Sequence, residues 1–248
     1  MKAENDIVLR VEEVYKNFGK KVVHSGISLT VKRGEVLTLM GGSGSGKSVL
    51  LRSLIGLDHP DRGHIFFHDQ EITLMDEEQL VPVRKRIAYV FQYGALFDSF
   101  TVKENLAYPL REHTPLSEEE IHEKVIKTLK RVGLEGSETL FPGDLSGGMQ
   151  RRVGVARSII MDPEVILYDE PTTGLDPYNG NQILKILTEL QKQGVTSVLV
   201  THDMHAIFKV TDRVAFLKDG RIRAIGTANE IKKSSDPVVS GFIEGESW

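Results

Sequence analysis

The octapeptide Gly-Gly-Ser-Gly-Ser-Gly-Lys-Ser, residues 41–48, is the strongest structural signal in this sequence. It fits the pattern G-x-x-x-x-G-K-[ST], in which backbone N–H groups surround a phosphate chain and the lysine, here Lys47, reaches the β and γ oxygens. The apolar run Val36–Met40 precedes it, and Ser48–Ile55 follows with helical character and ends at Gly56. Strand, glycine loop and helix form the context that the pattern requires, so the sequence predicts a phosphate-binding loop in an α/β fold.

The residues of this loop have separate expected roles. Glycines let the backbone approach the phosphates, the N-terminus of the next helix favours an anion, and the Ser48 hydroxyl is expected to bind Mg²⁺. The expected nucleotide-binding residues here are Gly41, Gly42, Ser43, Gly44, Ser45, Gly46, Lys47 and Ser48. The alternative is a flexible glycine turn, and the Lys-Ser ending in its strand–helix setting argues against it.

A second glycine loop, Leu145–Gln150 (LSGGMQ), precedes another helical stretch. Ser146 can cap that helix while Gly147 and Gly148 expose their N–H groups to an anion. A cap without any ligand is a common use of such a sequence. The other interpretation is that this loop faces a nucleotide held by a second copy of the chain, because one triphosphate has little use for two loops from one chain. A two-fold homodimer explains both loops.

An acidic pair, Asp169 and Glu170, follows the buried-strand pattern Val165–Tyr168. Phosphoryl transfer to water needs a divalent cation at the β and γ oxygens and a group that orients the attacking water. We expect Asp169 to contact the metal through water and Glu170 to act on the attacking water. An acidic pair alone is usually a solvated turn, but beside a phosphate loop it predicts hydrolysis of a nucleoside triphosphate.

Two further polar residues follow predicted strands. His202 comes just after Val195–Val200 and can reach the γ-phosphate or the attacking water, although a hydrogen-bonded loop histidine is the simpler interpretation. Gln92 ends the strand Arg86–Phe91, and its amide can touch Mg²⁺ or the attacking water.

The remaining pattern predicts one α/β domain with a helical insert. Ile7–Val14 and Val22–Val31 alternate as antiparallel strands of an N-terminal β subdomain. Two buried strands separated by a helix after residue 160 indicate a parallel sheet. We predict an α/β core over residues 1–91 and 161–226, a mostly helical subdomain over residues 92–160, and a tail over residues 227–248.

Local signals predict three further features. Asp61-Arg62-Gly63 is typical of a turn, and Asp219-Gly220 predicts a β-hairpin. Ser117 and Glu120 form a capping box that predicts the start of a helix.

Composition excludes several classes of function. The net charge of −4 argues against a protein that binds nucleic acid by counterion release. The absence of cysteine excludes disulfides and thiolate metal sites, and suits a reducing cytoplasm. The acidic N-terminus does not resemble a signal peptide, and no apolar run approaches the ~18 residues that a membrane span needs. We therefore expect any membrane role to depend on a partner.

Together these motifs resemble the ATPase subunit of an ATP-binding cassette (ABC) transporter over nearly the full length of the chain. The matching segments are Gly41–Ser48 (Walker A), Gln92 (Q-loop), Leu145–Gln150 (signature), Val165–Glu170 (Walker B), Gly174-Leu175-Asp176 (D-loop), His202 (switch histidine) and Phe18 (the aromatic residue that stacks on adenine). The resemblance implies a P-loop NTPase (RecA-like) core with ATP and Mg²⁺ as cofactors. It also implies a homodimer that closes on two shared nucleotides, with Lys47 and His202 among the catalytic residues and Asp176 near the nucleotide.

One residue departs from the family pattern. Val49 stands where the family usually has threonine or serine contacting the α-phosphate. The missing hydrogen bond is worth about 1 kcal/mol, which predicts modestly weaker ATP binding without loss of turnover.

A narrower resemblance concerns the start of the helical insert. Residues 91–97 (FQYGALF) and 107–114 (AYPLREHT) resemble the Mla/Mce-type ATPases of lipid-transport systems, whereas residues 98–101 (DSFT) are less typical of them. The same side chains also suit simple packing of the insert. The resemblance implies that permease subunits bind through the region Gln92–His113, and that the protein lies at the cytoplasmic face of the inner membrane.

Three alternatives remain at this level. The same enzyme can serve a permease for another solute, such as an amino acid or a drug. It can be a soluble ABC protein of DNA repair or translation, although such proteins usually carry coiled-coil arms, zinc modules or two fused cassettes. It can also be a P-loop kinase, which transfers the γ-phosphate to an acceptor instead of releasing it.

Overall fold

The computed structural model describes residues 6–245, which form two β-sheets with helices on both sides. The strands are β1 Ile7–Phe18, β2 Lys21–Lys32, β3 Val36–Met40, β4 Arg62–Phe67, β5 Gln70–Glu71, β6 Ile87–Val90, β7 Val165–Asp169, β8 Thr196–Val200, β9 Arg213–Lys218 and β10 Arg221–Thr227. The helices are α1 Lys47–Ser53, α2 Glu77–Arg84, α3 Val102–His113, α4 Glu118–Arg131, α5 Gly147–Ile159, α6 Pro177–Lys192, α7 Met204–Val210, α8 Ala228–Lys232 and α9 Pro237–Glu244.

The larger sheet has six strands in the order β10-β9-β3-β8-β7-β6. All neighbouring pairs from β9 to β6 are parallel, and β10 is antiparallel to β9. Side chains of β7 and β8 alternate between two hydrophobic clusters, so both faces of the sheet are covered. The phosphate loop follows β3 at the centre of this sheet, and the acidic pair follows the nearby strand β7.

The smaller sheet is antiparallel, with the order β2-β1-β4-β5, as predicted for the N-terminal strands. Its apolar face packs on α1, α2 and one face of the larger sheet in a shared cluster. Helices α3, α4 and α5 lie between β6 and β7 in the chain and bury their apolar stripes against the other face. The capping box of α4 is confirmed: Ser117 Oγ accepts from Glu120 N–H at 3.3 Å, and Glu120 accepts from Ser117 N–H at 2.8 Å.

The predicted turn at Asp61-Arg62-Gly63 is wrong, because β4 begins at Arg62 and pairs with β1. Gly63 has φ +93°, and a Cβ there would lie 2.2 Å from the carbonyl oxygen of Glu13, itself at φ +47°. The glycine therefore permits close approach at an irregularity of the β1–β4 ladder and does not mark a chain reversal.

Two other local predictions are confirmed. Asp219 (φ +49°) and Gly220 (φ +72°) both adopt the left-handed conformation in the hairpin between β9 and β10. Gly56 (φ +67°) ends the helical path after α1, with Leu57 N–H donating to Arg52 O at 3.0 Å.

The end of the described chain packs on the larger sheet. Helices α8 and α9 join α7 and β9 in a third cluster, where the rings of Phe216 and Phe242 lie 5.3 Å apart. Over residues 6–245, none of the helices combines the length and the apolar character that a membrane span requires.

Candidate functional site

The phosphate loop lies between β3 and α1, as predicted. At Gly41 an added Cβ would approach the carbonyl oxygen of Leu217 to 2.4 Å, so this position has no room for a side chain. Lys47 extends back into the loop, where its Nζ donates to Gly41 O and Gly42 O at 2.8 Å each. The side chain is 8% exposed, and burial lowers the Lys47 pKa while the nearby acidic residues act in the opposite direction. The ammonium is therefore held inside the loop and faces the acidic pair.

Ser48 and Asp169, both expected from the sequence to serve a metal ion, lie within hydrogen-bonding distance of each other. Ser48 Oγ donates to Asp169 Oδ1 at 2.8 Å, which joins the first turn of α1 to the end of β7. Tyr89 OH, from β6, donates to Asp169 Oδ2 at 2.8 Å. Burial, followed by the charge of Asp169, raises the Tyr89 pKa, so the hydroxyl keeps its proton and acts as a donor.

This pair of oxygen donors fits Mg²⁺. Magnesium in nucleotide sites is held by one or two carboxylates together with substrate phosphates and water, and not by a cage of protein ligands. In the part of the chain that the structure describes, no group of three or more histidine or acidic residues could form such a cage. Ser48 and Asp169 would hold the ion, together with phosphate oxygens of a nucleotide bound in the adjoining loop.

Glu170 lies next to His202, which is a hydrogen-bonded residue in the loop after β8. The Glu170 carboxylate is 3.0 Å from His202 Nδ1, and it accepts from Thr173 Oγ1 at 2.9 Å. Glu170 has φ +49°, and its N–H donates to Val200 O at 2.9 Å. The carboxylate is therefore fixed from two sides at the ends of β7 and β8.

Beside the loop lies a cavity of about 270 Å³ that extends toward Phe18. Its lining residues are Phe18, Lys21, Val23, Gly44, Gly46, Lys47, Ser48, Val49 and Arg52. The Phe18 ring is 51% exposed, so it offers a face for stacking on a flat base. Val49 also faces this cavity and has no group that can hydrogen-bond an α-phosphate.

The second glycine loop lies on a different part of the molecule. Ser146 caps α5 by accepting from Met149 N–H at 3.3 Å, and Gly148 packs so closely on Asn179 that an added Cβ would lie 2.3 Å from its amide. Asp176 caps α6 by accepting from Tyr178 N–H and Asn179 N–H at 2.9 and 3.0 Å. Among the described residues, none of 145–150 lines the cavity at Lys47.

Gln92 lies two residues after the end of β6, the edge strand of the larger sheet. The described side-chain partners of Asp169 are Ser48 and Tyr89, so the structure does not place Gln92 against either expected metal ligand.

Sequence reasoning missed Tyr89, Thr173 and Arg151. The Arg151 side chain is 6% exposed in α5, and its guanidinium donates to Glu170 O at 3.5 Å and Thr173 O at 3.2 Å. Burial lowers the pKa of this guanidinium. A buried arginine on the helix after LSGG has no local sequence signal, and Tyr89 is indistinguishable in sequence from an ordinary strand residue.

A groove of about 510 Å³ runs along the edge strand β6. Its walls come from α2, β6, the segment after β6, α3 and α5. Among its lining residues, Val81, Phe91, Phe97 and Tyr108 are 40 to 45% exposed. The groove therefore presents apolar side chains, and two of these, Phe97 and Tyr108, lie within the region 92–113 that was expected to bind a partner.

Comparison with known proteins gives a consistent result. The family model described as "ABC transporter" matches residues 24–173. The intermembrane phospholipid transport system ATP-binding protein MlaF of Escherichia coli K12 is 42% identical over 228 residues, covering 92% of this chain and 85% of that protein. The probable ribonucleotide transport ATP-binding protein mkl of Mycobacterium tuberculosis is 38% identical, covering 96% of this chain and 67% of its own.

Solved structures of similar chains have the same fold. The ATP-binding cassette MJ0796, in a dimeric post-hydrolysis state bound to ADP and Pi, has a TM-score of 0.82 and 32% identity, covering 89% of this chain and 98% of that one. The protein cbiO1 of Clostridium perfringens, part of the transporter complex cbiONQ, has a TM-score of 0.84 and 33% identity, covering 95% and 94%.

Proposed function

Because the chain belongs to the ABC transporter family and is an ATPase of that family, we propose that it hydrolyses Mg²⁺-bound ATP as a homodimer attached to a membrane permease. Two contacts beside Lys47 support this proposal most directly. Ser48 Oγ lies 2.8 Å from Asp169 Oδ1, and the Glu170 carboxylate lies 3.0 Å from His202 Nδ1. In this assignment Lys47 binds the β and γ oxygens, and Phe18 stacks on adenine.

The chemistry divides among the residues at the sheet edge. When bound, Mg²⁺ neutralises charge on the β and γ phosphates. Glu170 accepts a hydrogen bond from the attacking water and orients it toward the γ-phosphorus, while His202 and Thr173 hold the carboxylate in place. Lys47 stabilises the negative charge that develops on the phosphate oxygens. We assign Gln92 to a contact with the metal or with the attacking water, which forms after the segment that carries Gln92 has moved.

The second glycine loop supports the homodimer. In one chain the exposed Ser146 and Gly147 do not line the cavity at Lys47, and Asp176 accepts hydrogen bonds from its own helix. A two-fold axis that places residues 146–148 of one chain over residues 41–48 of the other gives each nucleotide two sets of N–H donors. We assign the predicted helical subdomain, residues 92–160, as the unit that carries this loop toward the partner.

The experiment uses Glu170→Gln. Removing the charge while keeping the shape should leave ATP binding intact and stop hydrolysis, so that a dimer accumulates with ATP and dissociates with ADP. Light scattering with size exclusion measures this dimer, and phosphate release measures hydrolysis. Glu189→Gln, an exposed change on α6, is the matched control. Hydrolysis at the wild-type rate in Glu170→Gln would remove Glu170 from the catalytic role.

The groove along β6 supports the permease assignment. Its exposed aromatic side chains fit an apolar element of a membrane subunit. The groove also includes Phe91, next to Gln92 in the chain, and Tyr89, which contacts Asp169, so occupancy and hydrolysis can influence each other. Such attachment would hold the protein at the cytoplasmic face of the inner membrane.

Phospholipid or another lipid is the cargo that we propose. This rests on 42% identity to MlaF, a phospholipid transport protein, and on the Mla/Mce-like segments 91–97 and 107–114. Transport of another solute is the second candidate, because the similar mkl protein is described as a probable ribonucleotide transporter component. Co-purification separates them: a stable complex with an Mce-type permease supports lipid, and a permease of another class contradicts it.

A further inference from the structure

Tyr89 connects two features that the proposed function treats separately. Its hydroxyl donates to Asp169 at 2.8 Å, and its ring forms part of the wall of the groove along β6. The ring also packs on Phe91, another groove residue, with centroids 4.4 Å apart. A single side chain therefore contacts both the expected cation ligand and the expected partner surface.

The contacts of Asp169 show why this hydroxyl matters. Among the described residues, the Asp169 carboxylate has two side-chain donors, Ser48 on Oδ1 and Tyr89 on Oδ2. The Ser48 hydroxyl has one proton and two lone pairs, so it can offer a lone pair to the cation while it donates its proton to Asp169 Oδ1. Asp169 Oδ1 is therefore held by a residue that is itself expected to bind the cation, whereas Oδ2 is held by Tyr89, which only orients the carboxylate.

The position of Tyr89 in the fold makes it sensitive to the groove. Strand β6 is the edge strand of the larger sheet and pairs with β7, which ends at Asp169. Tyr89 is only partly buried, and the groove lies on its open side. Hydrogen bonds weaken steeply as their distance and angle depart from the optimum, so a small displacement of the ring changes its bond to Asp169.

We propose that Tyr89 is a positioning residue for the divalent cation, holding Asp169 through Oδ2, and that filling the groove weakens cation binding by displacing its ring. This rests on the proposed function, in which Ser48 and Asp169 hold Mg²⁺. The role differs from that of a catalytic residue, since Tyr89 acts through Asp169.

The first test measures cation binding in place of activity. Mn²⁺ is titrated into the protein saturated with a non-hydrolysable ATP analogue, and free Mn²⁺ is followed by electron paramagnetic resonance. Tyr89→Phe removes the hydroxyl and keeps the ring, and we expect about fivefold weaker Mn²⁺ binding, the value of one hydrogen bond. Nucleotide affinity without the metal and the melting temperature should stay as in the wild type.

Two reference variants separate this inference from the site assignment. Ser48→Ala and Asp169→Asn must each weaken Mn²⁺ binding if the proposed metal site is correct. If they do and Tyr89→Phe does not, or if that variant binds Mn²⁺ more tightly, the positioning role is wrong. If none of the three weakens Mn²⁺ binding, the proposed metal site itself is wrong.

The second test fills the groove. The chain has no cysteine, so Ser158→Cys introduces a unique thiol in the groove wall that can carry N-benzylmaleimide. We expect this label to weaken Mn²⁺ binding about as much as Tyr89→Phe does, and to have no further effect when Tyr89→Phe is also present. The exposed Ser99→Cys, labelled in the same way outside the groove, is the control. An equal effect of the groove label with and without the Tyr89 hydroxyl would overturn the connection, as would the absence of any effect.

Discussion

His24 is a buried titratable group directly under the phosphate loop. It is fully buried, and its Nε2 lies 3.0 Å from Gly46 O, where an added Cβ on Gly46 would clash with the ring. Burial lowers the His24 pKa from 6.5, the hydrogen bond to Gly46 O partly offsets this, and the smaller effects of Lys16 and Asp58 oppose each other. The neutral ring can donate Nε2–H to the loop carbonyl.

The lowered His24 pKa predicts a pH dependence of stability. Below pH 6.5 the unfolded chain takes up a proton that the folded chain resists, so stability falls as the pH falls. His24→Phe should remove this contribution, which for one proton is at most ~1.4 kcal/mol per pH unit. The melting temperature of the wild type relative to the variant should therefore decrease between pH 7.5 and 5.5. The exposed His122→Phe controls for loss of an imidazole, and a pH-independent difference for His24→Phe would contradict the prediction.

Lys47 is the residue with the most direct predicted effect on nucleotide binding. Its ammonium is held inside the loop by two carbonyls, and charge-assisted hydrogen bonds to phosphate contribute about 1.5–3 kcal/mol. Lys47→Ala should therefore weaken ATP binding on the order of 10- to 100-fold. Titration with a fluorescent ATP analogue measures this, with the exposed Lys127→Ala on α4 as control. Near-normal affinity and turnover would overturn the loop assignment.

Among the helices, strands and turns, the predictions from sequence were most accurate where the local pattern and the tertiary contacts favour the same structure. The phosphate loop, the capping box before α4 and the Asp219-Gly220 hairpin are specified by residues close together in the chain. The need for a glycine at residue 63 was not predictable, because it arises from the backbone of Glu13 in β1, about fifty residues earlier in the chain. Contacts such as Tyr89–Asp169 depend in the same way on the order of strands in the sheet.

Helices α8 and α9, which follow β10, were not predicted, and the reason is different. Thr227 and Glu230 form a capping box at α8, and Asp236 caps α9, with Pro237 in its first turn. These signals were present in the sequence, but both helices are short and their apolar residues show no long period. Their packing in the third cluster decides their structure.

Helix α5 positions the segment after β6 through two glycines. A Cβ added at Gly154 would lie 2.8 Å from Gly94 Cα, and one added at Gly94 would lie 3.2 Å from Gln150 O. This contact sets the distance between α5 and the segment that carries Gln92. We therefore expect α5 and the segment that carries Gln92 to move as one unit.

Gly154→Val tests this contact. The larger side chain should push the segment at residues 92–94 away from α5, lowering the maximal ATPase rate more than the affinity for ATP. A steady-state measurement of kcat and KM checks the split, with circular dichroism to confirm folding. Gly143→Val is the control, because a Cβ at Gly143 has no atom within 4 Å. An unchanged kcat in a folded Gly154→Val protein would show that the close contact has no role in turnover.

At the scale of the whole molecule, the separation of the two glycine loops is the fact that most constrains function. Residues 41–48 follow the central strand β3, whereas residues 146–148 lie at the start of α5, between β6 and β7 in the chain. The cavity at Lys47 has walls from its own loop, β1 and β2, and in the described chain residues 145–150 are not among them. A second copy of the chain can complete the site without any change in the fold of either one.

Complementation between two inactive variants tests this arrangement directly. Lys47→Ala disables the phosphate loop, and Ser146→Arg places a bulky cation where a partner's nucleotide would contact the second loop. If each site combines residues 41–48 of one chain with residues 146–148 of the other, a mixed dimer has one site with both defects and one with neither. Two inactive preparations should therefore regain ATPase activity when they are mixed, up to about a quarter of wild type for random pairing of two independent sites. Phosphate release measures this, with each variant mixed with itself as the control. Should the mixture stay inactive although light scattering shows that the two chains pair, the two loops do not share a nucleotide across the interface.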